Sequence, residues 1–206
     1  KISASWGSFA NSGVMNIQET NALFAYSGFI NDFQFYNTGT INVSSTVDSL
    51  NLFAKLVSTG NIDMAGDTKL NLAELDLSGA INGVLGSTLH LLGFNSSTES
   101  FLRSGSAINV TSFVTNASQV VHINENCDVS SIDNFRFGRG NLFADVVFPT
   151  SANFLLQADM VTSKDQNFTG NFTLESGSIN GDVTITFDTP NFIANFGYFG
   201  GTTKVR

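Results

Sequence analysis

Cysteine is almost missing from this chain: Cys127 is the single one in 206 residues. An internal disulfide framework is therefore excluded, and the fold has to rest on burial and hydrogen bonding. Proline is nearly as scarce, with two residues, so few positions withhold a backbone N–H from a sheet. Charge is thin: Asp, Glu, Lys and Arg make up 13% of the chain, about half the usual share. The charge that exists leans acidic, 9 Lys plus Arg against 17 Asp plus Glu, net −8. That balance disfavours nucleic acid and anionic membrane as partners. No apolar run approaches the ~20 residues of a membrane helix, so no membrane insertion is expected of this segment. Nor does a charged start lead into an apolar stretch of the kind a secretory signal needs. The ends, Lys1-Ile2-Ser3 and Lys204-Val205-Arg206, read as those of a segment excised from a longer chain. A processed product complete in itself is the alternative.

Neutral polar residues take the place of charge. Ser, Thr and Asn number 24, 19 and 23. Phe is 20 against 3 Tyr and 1 Trp. With this much Phe, Val, Ile and Leu the chain is not disordered. Its length suits one domain over residues 1–206 and is enough to bury a sizeable core.

A short phrase recurs: Ser or Thr, Gly, any residue, Ile, then Asn or Asp. It stands at Ser27–Asn31, Thr38–Asn42, Thr59–Asp63, Ser78–Asn82 and Ser176–Asn180. Looser copies, each read with one extra residue, stand at Ser12–Ile17 and Ser104–Asn109. From Gly13 the glycines step to Gly39, Gly60, Gly79 and Gly105, at uneven but similar intervals. The longer interval from Gly105 to Gly177 divides into three further steps of the same order. A period near 23 follows, and Gly28 reads as a second corner of the same coil.

Between the phrases the chain alternates with period two, as in Asn71–Leu77, Asp182–Asp188, Phe33-Gln34-Phe35 and Phe135-Arg136-Phe137. That is the signature of strands with one face in and one face out. Helical spacing is confined to two windows, Gln18–Tyr26 and Phe53–Val57. Many short strands suit a sandwich or a solenoid. A sandwich wants two-residue hairpin loops such as Asn-Gly, whereas Gly here mostly follows Ser or Thr and precedes an Ile-Asn step. A solenoid stacks equivalent residues ~4.8 Å apart. Asn, Thr, Ser and Phe stack well on their own kind, while columns of like charge repel. Composition and period together predict an all-β, single-stranded parallel β-helix of about nine coils of 19–26 residues, a rod of order 40 Å; the sandwich stays open as the alternative.

Phrases such as Phe35-Tyr36-Asn37-Thr38-Gly39-Thr40-Ile41-Asn42-Val43 resemble right-handed parallel β-helix proteins of the pectin-lyase-like type, above all the shafts of adhesins and secreted surface proteins. The resemblance implies a right-handed coil and an extracellular or cell-surface location. It covers nearly the whole chain as a pattern and rests on no single diagnostic motif.

Enzymes of that type gather carboxylates and a basic residue on one outer face. Asp63 and Asp67, Asp128 and Asp133, and Asp182 and Asp188 are the close acidic pairs. None sits in a motif that would join them, and they read as solvated corners. Turn Asp and Asn could supply some of the oxygens a weak Ca²⁺ site needs, but their spacing matches no repeated calcium motif. His90 and His122 each stand alone between apolar neighbours and are expected to face outward without a partner. Cys127 reads as a core filler, with an intermolecular disulfide as the lesser reading. Gly138-Arg139-Gly140 and Gly200-Gly201 lack the context of a phosphate loop and read as corners or an insertion. No catalytic residue, cofactor or metal site is therefore assigned. Glycosylation triplets begin at Asn42, Asn95, Asn109, Asn116, Asn167 and Asn171. Roughly five would arise from composition alone, so they permit glycosylation without requiring it.

The function expected is structural: a non-catalytic β-helical shaft or filament block that associates with itself or stacks end to end, with glycan or protein contacts on its faces. The apolar stretch Asn191–Phe199 is expected to pack under a further coil or another subunit. The alternatives are a secreted polysaccharide lyase or glycoside hydrolase, and a module binding a neutral glycan or a flat lattice.

Overall fold

The computed structural model describes residues 2–3, 7–19, 22–25, 33–93, 98–116 and 118–206, with backbone alone for 2–3 and 22–25. Its strands pair in parallel throughout, and no helix occurs among the described residues. The chain is a parallel β-solenoid of about eight turns, close to the nine expected.

Each turn visits three sides. Phe33–Asn37 lies on the first side, Thr40–Val43 on the second, and the first half of Ser49–Ser58 on the third. Ser49–Ser58 then runs on round the corner. Its first half stacks on Ala22–Ala25 and its second half on Phe33–Asn37. The bend falls between Leu52 and Lys55, where its register on Lys69–Leu77 shifts. Burial alternates strictly along this strand, as period two demands of a chain with one wet face. The window Phe53–Val57 is thus strand and not helix. The window Gln18–Tyr26 holds the strand Ala22–Ala25, its remaining positions lying partly outside the described residues.

Turns vary in length. Asn11, Asn37, Ser58 and Leu77 are successive register partners, and the sequence interval between them shrinks from one turn to the next. The turn from Ala144 to Thr162 is shorter still. Corners absorb the difference, so the stacked strands keep register while the loops change.

The recurring phrase encodes one corner and the rung after it. Met15, Ile41, Ile62, Ile81 and Ile108 form one inward column on the second side. Met15 takes the isoleucine's place, so the copy at Ser12–Ile17 is in register without an extra residue. The copy at Ser104–Asn109 does carry one: Ala107 pairs with Ala80, and Gly105 is pushed into open space at φ +81°. The copy at Ser176–Asn180 departs from the column altogether. Its strand Ser178–Gly181 stacks on Asp159–Thr162, on the first side, so the interval from Gly105 to Gly177 does not count turns. A corner followed by an inward Ile and an outward Asn suits either side, which is why the phrase misplaces it. The copy at Ser27–Asn31 lies outside the described residues.

On the third side Leu50, Leu70, Leu89, Phe113, Phe135, Phe154 and Phe172 stack as one buried column. Phe135 and Phe154 lie 4.8 Å apart and nearly parallel, and Phe148 meets both edge-on at 5.1 Å. Each such side chain contributes about 1.5–3 kcal/mol by leaving water. The contiguous core runs from Ile17 to Ile185. Gly138–Gly140 is a corner leading into the strand Gly140–Ala144, while Gly200 and Gly201 end the strand Tyr198–Gly201.

Candidate functional site

Once the core has taken the inward columns, chemistry has to come from the outward ones. On the second side Asn16, Asn42, Asp63, Asn82 and Asn109 stand one above another. Asn42 donates from Nδ2 to Oδ1 of Asn16 at 2.9 Å, Asn82 to Oδ1 of Asp63 at 2.7 Å, and Asn109 to Oδ1 of Asn82 at 2.8 Å. Ser131 Oγ donates to Asn109 Oδ1 at 3.1 Å and closes the series. This ladder lines an open groove of about 470 Å³ with Ala65 and Val84 as its exposed apolar side chains, those of Val43 and Met64 being turned into the core. Gly83 and Val84 continue it into a second hollow of about 230 Å³ beside Asn109.

On the third side Asn51, Asn71 and His90 are stacked. Asn71 donates to Asn51 Oδ1 at 2.8 Å, which leaves its own Oδ1 facing His90 Nδ1 at 3.0 Å. Nε2 on the other side of the ring lies 2.9 Å from Asn116 Oδ1, so each ring nitrogen faces a carboxamide oxygen. His122 lies between Phe101 and Phe143, with centroids at 4.6 and 4.9 Å and planes within 9°. Arg103 caps this stack, its guanidinium carbon 4.5 Å from the Phe101 centroid, and pairs with Asp76 through two 2.8 Å bonds. Those bonds hold the Asp76 carboxyl below its usual range against the opposing effect of burial, and the Arg103 guanidinium above its own. Both histidines face outward as expected, but neither is partnerless. Stacking along the rod supplies neighbours a full turn away, which spacing in the sequence cannot show.

Asp63 is half-buried in the groove, while Asp67, Asp128, Asp133, Asp182 and Asp188 are exposed. Asp128 accepts from the backbone N–H of Ser130 at 3.0 Å; bonds from the Ser130 hydroxyl and that N–H lower its carboxyl. Asp182 accepts from Thr202 Oγ1 at 2.7 Å. Among the described residues no three His, Cys, Asp or Glu side chains gather at one point. Cys127 is buried, 3.2 Å from Ser106 Oγ, and burial pushes its thiol up.

Asn95 lies outside the described residues. Asn42, Asn109 and Asn171 each commit an Nδ2 hydrogen to a ladder bond. Asn116 is exposed beside His90. Asn167 is exposed in the strand Gln166–Phe168 and makes no side-chain hydrogen bond among the described residues.

No family model matches the chain, and no curated protein or solved structure matches it either.

Proposed function

We propose that this chain is a non-catalytic shaft of a cell surface or an extracellular assembly, a rod whose work is reach. What carries the reading is the stacking itself. Columns on all three sides use side chains to bind one turn to the next, by apolar packing inside and by amide and aromatic ladders outside. Three ion pairs join turn to turn in the same way: Lys55 with Glu74, Asp76 with Arg103, and Asp145 with Lys164. A rod of about eight turns spans about 40 Å at the sheet spacing.

End-to-end association is part of this reading. The strands Phe192–Ala194, Tyr198–Gly201 and Lys204–Val205 each pair on one side only among the described residues. Phe196 is 86% exposed and Tyr198 61%. Such edges and apolar side chains template a further rung. The inward column that begins at Phe9 and Phe35 ends at Ile179 and Phe199, so a rung added there continues it. Exposed triplets such as the one at Asn167 suit a glycoprotein in the secretory route. Analytical ultracentrifugation at micromolar concentration tests the reading. An elongated particle that associates with rising concentration, and associates less in Phe196→Ser, is the expected result. A compact monomer that never associates overturns it.

A further inference from the structure

The amide ladder of the second side has a direction, and it is broken at one rung. Asn42, Asn82 and Asn109 all donate toward the rung that precedes them in the chain. The missing donation is the one from residue 63 to Oδ1 of Asn42, its register partner. Asp63 accepts from Asn82 but, as a carboxylate, has no hydrogen to pass on. Two acceptors thus face each other across one rung, about 4.8 Å apart at the sheet spacing, and no bond joins them among the described residues. An Asn at this position would complete the ladder. Locally inconsistent residues in an otherwise consistent pattern mark function more often than accident.

We infer that the groove at Asp63 binds a neutral oligosaccharide, with two adjacent sugar hydroxyls donating one each to Asn42 Oδ1 and to the Asp63 carboxylate. Each ladder amide has a second N–H not used along the ladder, available to other sugar oxygens. Ala65 and Val84, both exposed, offer apolar wall to the C–H faces of the ring. The volume, about 470 Å³, lies in the range of small-ligand sites. A polyanionic glycan meets a carboxylate here and an acidic chain around it, net −8. A calcium ion wants six to eight oxygens, and this rung brings two side chains. The groove and the shaft stand independently: a rod that binds no sugar is still a rod, and a compact chain that binds sugar still has its groove.

The test is an NMR titration of the ¹⁵N-labelled chain, following the side-chain amides of Asn16, Asn42 and Asn82. The probes are cellohexaose, mannohexaose, hexagalacturonate and calcium chloride alone. At least one neutral hexasaccharide should shift Asn42 and Asn82 saturably. In Asp63→Asn the affinity should fall about tenfold or more, the worth of a hydrogen bond to a charged group. The same variant should melt at a higher temperature, since it completes the ladder, which separates lost binding from lost fold. Asp188→Asn, exposed and outside the groove, should bind like the parent. The inference is overturned if neither neutral sugar shifts these amides, if Asp63→Asn binds as tightly as the parent, or if hexagalacturonate or calcium alone is the better ligand.

Discussion

Asn11 donates from Nδ2 to Oδ1 of Asn37 across 2.9 Å, one turn further along the chain, inside the corner between the first and second sides. Asn37 is fully buried and passes the bonding on, to Ser58 Oγ at 3.1 Å and to the Asn61 carbonyl at 3.2 Å. A buried carboxamide is tolerable only when its donors and acceptors are met. This one meets them through partners a whole turn away in either direction, so it locks three turns into one register.

Asn37→Ala should therefore cost about 2–4 kcal/mol, combining a cavity with stranded partners at Asn11 and Asn61. Asn141→Ala, exposed and without a side-chain bond among the described residues, should stay within about 0.5 kcal/mol. Urea unfolding of the two variants measures both. Equal midpoints would show that the corner ladder carries no stability.

The glycine column separates two reasons for glycine. At Gly60 a Cβ would sit 2.0 Å from the Gly39 carbonyl oxygen, and at Gly79 2.0 Å from that of Gly60. These are backbone atoms with nowhere to go. Gly60→Ala should cost more than about 3 kcal/mol or prevent folding. At Gly105 nothing lies within 4 Å, and the demand is only the φ of +81°. Gly105→Ala should cost about 1 kcal/mol. Thermal melts by circular dichroism rank the pair, and the reverse order would mean that the rungs are not this close.

Asp76 and Arg103 set a pH dependence. The paired carboxyl titrates lower in the folded chain than in the unfolded one, chiefly through the Arg103 hydrogen bonds. Its contribution is complete above the unfolded value near 3.9 and is lost as the pH falls through the lower folded value. The pair is partly exposed, at 43% for Arg103 and 22% for Asp76, so it is worth at most about 1 kcal/mol. Asp76→Asn should be slightly less stable at neutral pH and should lose less between about pH 4 and pH 2. Asp128 is lowered in the same direction, so part of the acid slope remains. Urea midpoints across that range check this, and parallel curves for the two chains would contradict it.

Much of the architecture was legible because a solenoid writes one rule many times. The Gly-x-Ile-Asn steps from Gly39 to Gly79, the alternation in Lys69–Leu77 and the many Phe all announce equivalent residues in stacked rungs. Where the reading slipped, the cause was local likeness. Met15 replaces an isoleucine without a change of register, and the copy at Gly177 is the same corner on another side. The outward chemistry was harder to read. Asp63 looks like a turn acid beside Asp67, and His122 looks solitary between Val121 and Ile123. Their true neighbours are Asn42, Asn82, Phe101 and Phe143.

Composition and period by themselves determined that this chain is all-β, coiled and held without disulfides, because low charge, scarce proline and alternating apolar residues leave few other ways to bury a core. Only the tertiary structure decided which residues meet. Turn lengths differ along the rod, and a shift of one position in any loop would move every outward column against its neighbour. The ladder at Asp63, the buried corner at Asn37 and the stack at His122 exist because the corners absorb those differences and return each strand to register.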